Sequence, residues 1–163
     1  MSYWAIGVDI VEIQRFRAYP PSEHSRFYER VYNDYEYDYC INHSDPYPHF
    51  AGIFAGKEAV FKAASKFMHV SLSQIFIHHD EKGRPFVWLE KNDIAPQRGD
   101  KQLGNSENLE VQVSITHSHD LALAWALICV KTSRNDLLEE LDRFKAELQR
   151  EIGNEFVEHR YSS

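Results

Sequence analysis

The ten residues Phe54-Ala55-Gly56-Lys57-Glu58-Ala59-Val60-Phe61-Lys62-Ala63 constrain this chain more than any other stretch. They are Ala-rich and without proline, which favours a helix, and a helix sets residues four apart on one face. Glu58 and Lys62 therefore look the same way, with Lys57 flanking them. A carboxylate between two ammonium groups suits a site that holds a hard cation together with a polyphosphate, because Mg²⁺ takes one or two carboxylates plus phosphate oxygens. An ordinary surface ion pair worth about 0.3 to 0.5 kcal/mol has the same spacing. The site reading therefore requires a second carboxylate elsewhere in the chain.

Asp9 is the candidate. Residues Tyr3 to Val11 are apolar on both alternating faces, Trp4, Ile6, Val8 and Ile10 on one and Ala5, Gly7 and Val11 on the other, a pattern that predicts a strand buried on both sides. A carboxylate inside such a strand is costly unless it is hydrogen-bonded, paired or bound to a metal. The competing reading is local: Asp9 ends the strand and caps a helix starting near Val11. The residues of this stretch leave both open.

The rest of the chain alternates helical and strand patterns. Val11 to Arg17 reads as helix up to Pro20-Pro21, and Ser22 opens a Tyr-rich helical segment in which Phe27, Val31, Tyr35 and Tyr39 share one core face. Asn42 to Pro48 is a loop. The Glu58 helix begins near His49 and fades after Phe67, with Ala51, Phe54, Ala55, Glu58 and Lys62 on one broad face. Gln74 to His79 and Pro85 to Glu90 form a hairpin around Asp80-Glu81-Lys82-Gly83-Arg84. Residues 91–108 are polar and Gly- and Pro-containing, a long loop. Leu109, Val111, Val113 and Ile115 alternate with polar residues as in a half-buried strand, and His117-Ser118-His119-Asp120 turns into a buried strand from Leu121 to Val130. Leu137, Leu141, Phe144, Leu148, Ile152 and Phe156 then predict a long amphipathic helix started by Ser133 or Asp136. The expectation is an α+β fold: an antiparallel sheet packed against the helix carrying Glu58, with domain 1–132 and a helical extension 133–163.

Composition bounds the function. A chain of 163 residues with 43% hydrophobic content buries one sizeable core. A net charge of −7 argues against nucleic-acid binding, which needs clustered Lys and Arg. Cys40 and Cys129, far apart among apolar neighbours, read as reduced core residues. The N-terminus has no charged n-region followed by an apolar h-region, and the apolar run from Leu121 to Val130 is too short to span a bilayer as a helix. A cytoplasmic protein with no membrane partner is expected.

Three stretches taken together are similar to the motifs of a known family. Gly7-Val8-Asp9-Ile10-Val11-Glu12-Ile13, Phe54-Ala55-Gly56-Lys57-Glu58-Ala59 with Phe61-Lys62-Ala63, and Val113-Ser114-Ile115-Thr116-His117-Ser118 resemble the signatures of the 4'-phosphopantetheinyl transferases, in the same order. The match is to the short holo-[acyl-carrier-protein] synthase type and covers residues 3–131. It implies Mg²⁺-dependent transfer of phosphopantetheine from coenzyme A to a serine of an acyl carrier protein, as in fatty acid biosynthesis, releasing 3',5'-ADP. Asp9 and Glu58 then bind the metal, Lys57 and Lys62 contact phosphates, Ser114 and His117 lie at the coenzyme, and Asp9, Glu58 and Lys62 act in catalysis with Glu58 as base. Arg15 faces the acidic carrier, with Arg17, Arg26 and Arg30 extending the patch. Relatives of this type are trimers with the site at subunit interfaces.

The chain also departs from the pattern. Gln112 stands where short-type relatives often have a histidine, Ile53 where a basic residue is frequent, and Ala64-Ser65-Lys66-Phe67-Met68 where a Gly-rich turn is common. Two other readings therefore stay open. One is a non-catalytic carrier-binding or scaffold protein of the same fold. The other is a metal-dependent hydrolase using His117, His119 and Asp120, since alternate residues on a strand present two ligands on one side.

Overall fold

The computed structural model describes residues 2–90 and 109–131. In chain order the elements are β1 (Ser2–Glu12), α1 (Ile13–Ala18), α2 (Ser25–Val31), α3 (Asp34–Ile41), α4 (Tyr47–Ala64), a 3₁₀ turn (Leu72–Gln74), β2 (Ile75–His79), β3 (Pro85–Leu89), β4 (Leu109–Ser118) and β5 (Leu121–Lys131). One sheet has the order β1-β5-β4, and β2 and β3 form a second, antiparallel pair. The α+β expectation holds. The loop expected at 91–108 and the helix expected at 133–163 lie outside the described residues.

The long helix α4 is the element on which the others pack. Pro48 near its start suits the first turn, where a missing N–H costs nothing. Eleven of its 18 residues are buried, and the small ones among them let strands come close. A methyl group on Gly56 would lie 2.6 Å from Ile77 of β2 and 3.0 Å from Ile115 of β4, and one on Gly52 would lie 3.1 Å from Ile115. The closest approach is to β1. A Cβ built on Gly7 would sit 1.9 Å from the Ala59 carbonyl oxygen and 2.8 Å from the Ala63 nitrogen, so the strand backbone lies directly on the helix backbone.

Strand β5 repeats the theme from the sheet side. Ala122, Ala124, Ala126 and Ile128 are buried, while Leu121, Leu123 and Trp125 point to the opposite face and are exposed. The antiparallel ladder with β4 pairs Ser114 with Trp125 and Ile115 with Ala124, so the alternation expected for β4 is observed, with Leu109 buried and Val111, Val113 and Ile115 partly buried.

Three expectations require correction. The strands β1 and β5 are not buried on both sides: Trp4 is 56% exposed, Ile6 70%, Val8 51% and Ile10 58%. Apolar character on both faces predicts double burial, but α4 covers only one face of the three-stranded sheet. Next, α1 starts at Ile13 with Glu12 at its cap, so Asp9 lies within β1 and caps no helix. Finally, the Tyr-rich segment is two helices, not one. It breaks at Tyr32-Asn33, where Asn33 and Glu36 form a reciprocal capping box, each side chain accepting the other residue's backbone N–H. Phe27 and Tyr35, placed in the core by the single-helix reading, are 40% and 41% exposed.

The two described positions most dependent on glycine are expected to respond differently. Gly7→Ala forces backbone against backbone and is expected to cost about 3 kcal/mol or more in urea unfolding, the upper end for overpacking. Gly83→Ala meets only its own positive φ of 76°, in open space, and is expected to cost about 1 to 2 kcal/mol.

Candidate functional site

Asp9 projects from the same face of β1 as Gly7, and the Gly7–Ala59 contact brings that face onto α4 where Glu58 and Lys62 emerge. The Lys62 ammonium donates to Asp9 Oδ1 at 2.8 Å and to the Val8 carbonyl at 3.0 Å. Its side chain is 49% exposed and that of Asp9 17%, so the pair contributes at most about 1 kcal/mol to stability. Burial raises the proton affinity of Glu58 above that of an ordinary glutamate. The Asp9 carboxylate adds to that effect and Lys62 offsets part of it. Two carboxylates and a half-exposed ammonium, from segments about fifty residues apart in sequence, thus converge on one surface. Carboxylate oxygens are the donors Mg²⁺ prefers, and two of them leave coordination positions for phosphate oxygens. The set fits that ion.

Lys57 is placed elsewhere. It is 1% exposed, with Nζ 2.6 Å from Glu36 Oε2 and donating to the Val31 carbonyl. The expectation that it contacts phosphate is corrected: one residue before Glu58 on a helix is a rotation of about 100°, which carries Lys57 to the buried side. Glu36, itself fully buried, also accepts the Ile77 and Asn33 N–H groups. Burial pushes its carboxyl up and the Lys57 ammonium down, and each holds the other charged. Sequence reading missed Glu36, although the Asn33-x-x-Glu36 spacing is a capping signal.

Ser114 and His117 are not gathered with Asp9 in the single chain. The strand β5 lies between β1 and β4, so they stand at least two strand spacings away, about 10 Å or more. Ser114 is exposed on the face opposite α4, beside Trp125. His117 instead reaches the start of α4, its ring 5.6 Å from that of His49, which stacks on His43 at 3.5 Å. Burial, with help from the neighbouring imidazoles, lowers the His49 pKa to about 4. His43 and His49 carried no sequence signal, because the chain is brought to His117 only by the packing of α4 on β4. Among the described residues no three His, Cys, Asp or Glu side chains meet in a metal-holding group, so the His117, His119 and Asp120 hydrolase arrangement is not formed.

Arg15, on α1, borders a cavity of about 270 Å³ lined by Val11, Phe16, Phe27 and Phe54 among others. Arg17 pairs with Asp45 at 2.5 Å and lies over the Tyr47 ring. Cys40 and Cys129 are free and buried, as expected. No helix of the described residues is long and apolar enough to cross a membrane.

Residues 5–126 match the model of the 4'-phosphopantetheinyl transferase superfamily. The chain belongs to that family. A holo-[acyl-carrier-protein] synthase of Halothermothrix orenii is 33% identical over 123 residues, covering 75% of this chain and 94% of that protein. One from Protochlamydia amoebophila is 38% identical over 124 residues, with 75% and 94% covered. The solved structure of a Chronobacterium ammoniagenes ACPS–coenzyme A complex superposes with a TM-score of 0.61 at 26% identity, covering 80% of this chain and 99% of that one. Near-complete coverage of these proteins places the chain with the short holo-[acyl-carrier-protein] synthase type.

The sign of the Glu58 shift has a consequence for stability. A carboxyl whose proton affinity is raised on folding adds stability below its unfolded pKa, about 4.3, that is lost as pH rises through its folded value. Glu58→Gln is therefore expected to raise the thermal midpoint by a few degrees at pH 7, with the gain vanishing towards pH 4. Calorimetry across that range checks it, and a variant less stable than the parent at pH 7 would contradict the assignment.

Proposed function

We propose that this protein transfers the 4'-phosphopantetheine group of coenzyme A to a serine of an acyl carrier protein, releasing 3',5'-ADP. The observation that carries the reading is the convergence of Asp9, Glu58 and Lys62 on one surface, on two motifs shared with transferases of this family. Relatives named for this activity, and a coenzyme A complex of similar fold, support it.

Asp9 and Glu58 are the carboxylates that would hold Mg²⁺, which when bound would neutralise charge on the pyrophosphate. Lys62, fixed between Asp9 and the Val8 carbonyl yet half-exposed, offers its remaining donor to a phosphate oxygen and stabilises the charge that develops there. Glu58, with its raised proton affinity, takes the proton of the carrier serine directly or through a water. The serine oxygen forms its bond to the phosphorus bearing pantetheine as the bond from that phosphorus to 3',5'-ADP breaks. Arg15 and the apolar cavity beside it face the acidic carrier.

The working form is a homotrimer in the cytoplasm. Its support is the apolar face of Trp4, Ile6, Val8 and Ile10, continued by Leu121, Leu123 and Trp125, which the single chain leaves exposed. A neighbouring copy packed there would cover that face, and the site at the subunit boundary would be completed by Ser114 and His117, which one chain does not gather with Asp9 and Glu58.

Incubating apo acyl carrier protein with the protein, coenzyme A and Mg²⁺ is expected to give a phosphopantetheine-sized mass gain in intact-mass analysis. Asp9→Ala and Glu58→Ala are each expected to slow it about a thousandfold, equivalent to about 4 kcal/mol of barrier. Coenzyme A binding with no gain on any carrier would leave the scaffold reading. In light scattering, Ile6→Asp is expected to reduce the trimer mass to that of one chain and to abolish transfer. A parent that is monomeric and active would overturn the trimer.

A further inference from the structure

The ion pair between Lys57 and Glu36 has no solvent access, and nothing in the transfer reaction uses it directly. Its cost is high. Two charges withdrawn from water each lose their hydration, and well-packed apolar residues of similar volume often serve stability as well or better. Stability alone is therefore a weak account of why a lysine sits there. The connections of the pair point to another role.

Glu36 spends both carboxylate oxygens on three donors from separate segments. Oε1 accepts the Ile77 N–H of β2 at 2.7 Å, and Oε2 accepts the Asn33 N–H at the start of α3 at 2.9 Å together with Lys57 Nζ of α4 at 2.6 Å. The same ammonium donates to the Val31 carbonyl at the end of α2. Asn33 closes the ring by accepting the N–H of Glu36, at 2.8 Å. The middle of α4 is thus tied by directional bonds to α2, α3 and β2, on the side away from β1. On the β1 side it is held by the Gly7–Ala59 contact. Apolar packing on Ala and Gly tolerates rotation of a helix about its axis, because small side chains present few ridges. A charged hydrogen bond with a fixed partner does not tolerate it. Lys57 is the residue next to Glu58, so any rotation of α4 that moves one moves the other.

We propose that Glu36, through its buried ion pair with Lys57, is a positioning residue that sets the rotation of α4 and so holds the Glu58 carboxylate opposite Asp9. The inference rests on the transferase reading for what Glu58 does, but its geometry is independent of that reading. It also assigns Lys57 a task that its burial allows, in place of a phosphate contact that its burial prevents.

Removing one partner leaves an uncompensated buried charge, so the single variants Glu36→Gln and Lys57→Met are expected to lose stability whatever the role of the pair. The informative protein is the double variant, Glu36→Gln with Lys57→Met, in which no buried charge is left unpaired. Isothermal titration of Mg²⁺ into the full chain in the presence of coenzyme A reads the site without needing turnover. The double variant is expected to regain most of the thermal stability lost by either single variant, yet to bind Mg²⁺ about 10- to 100-fold more weakly, as is typical when a group supporting a metal ligand is removed. Lys57→Arg keeps the charge but lengthens the link, and reads the same question if the double variant does not fold. It is expected to show the same direction of change.

Parental Mg²⁺ affinity in either folded variant overturns the positioning role and leaves the pair a purely structural contact. A parent that binds neither coenzyme A nor Mg²⁺ overturns the transferase reading instead. The crystal structure of a folded variant then still decides whether residue 58 has moved from Asp9, and an unmoved carboxylate also overturns the inference.

Discussion

The contact between Gly7 of β1 and the backbone of α4 at Ala59 is the constraint on which the rest of the structure depends. A strand ordinarily packs on a helix through side chains, which keep the two backbones well apart. Here the side chain is missing on one partner and is a methyl group on the other. The strand sinks onto the helix, and Asp9, two residues further along the same strand face, arrives beside Glu58 and Lys62. Burial raises the proton affinity of Glu58, and the nearby Asp9 carboxylate adds to the effect. The Lys62 ammonium offsets only part of it. A divalent cation held between the two carboxylates, as proposed above, would offset that cost, which ties the packing of the fold to the proposed chemistry.

The same small-residue packing explains why α4 can serve as a hub. Gly52, Gly56, Ala59 and Ala63 on the helix meet Gly7 of β1 and Ile115 of β4, while Ala122, Ala124 and Ala126 of β5 present an equally low surface. Close packing of this kind buries a helix efficiently but specifies its rotation poorly. The Glu36–Lys57 pair supplies the missing specification at a single buried point. Large side chains displaced from the α4 side of the sheet appear on the other side, as Trp4, Ile6, Leu123 and Trp125. Among the described residues one apolar face of the three-stranded sheet is left exposed, and β5 separates the third motif on β4 from Asp9 on β1.

Much of this was legible in the chain. The helix around Glu58, the hairpin around Gly83, the alternation of β4 and the strand holding Asp9 all follow from local periodicity and turn chemistry, and the three motifs in order identified the family. The misreadings share a cause. Apolar residues on both faces of β1 and β5 look identical whether the second face meets the same chain or another. The Tyr-rich segment kept its period of four across Asn33, and only the capping box with Glu36 broke it. Lys57 and Lys62 both flank Glu58 in sequence, one residue before it and four after, yet a rotation of about 100° per residue sends one inside and leaves the other at the surface.

The sequence by itself determined most of the described elements and the family they belong to, because helix, strand and turn signals, like the three motifs, are properties of contiguous residues. It also singled out Asp9 and Glu58 as the candidate carboxylates, through the resemblance of the motifs read together. Only the tertiary structure decided that Lys57 belongs to Glu36, that His117 sits with His49 and not with Asp9, and that Trp4, Ile6, Leu123 and Trp125 stand exposed on the outer face of the sheet. Each depends on distances between segments tens of residues apart, fixed by how closely small residues let α4 and the strands approach.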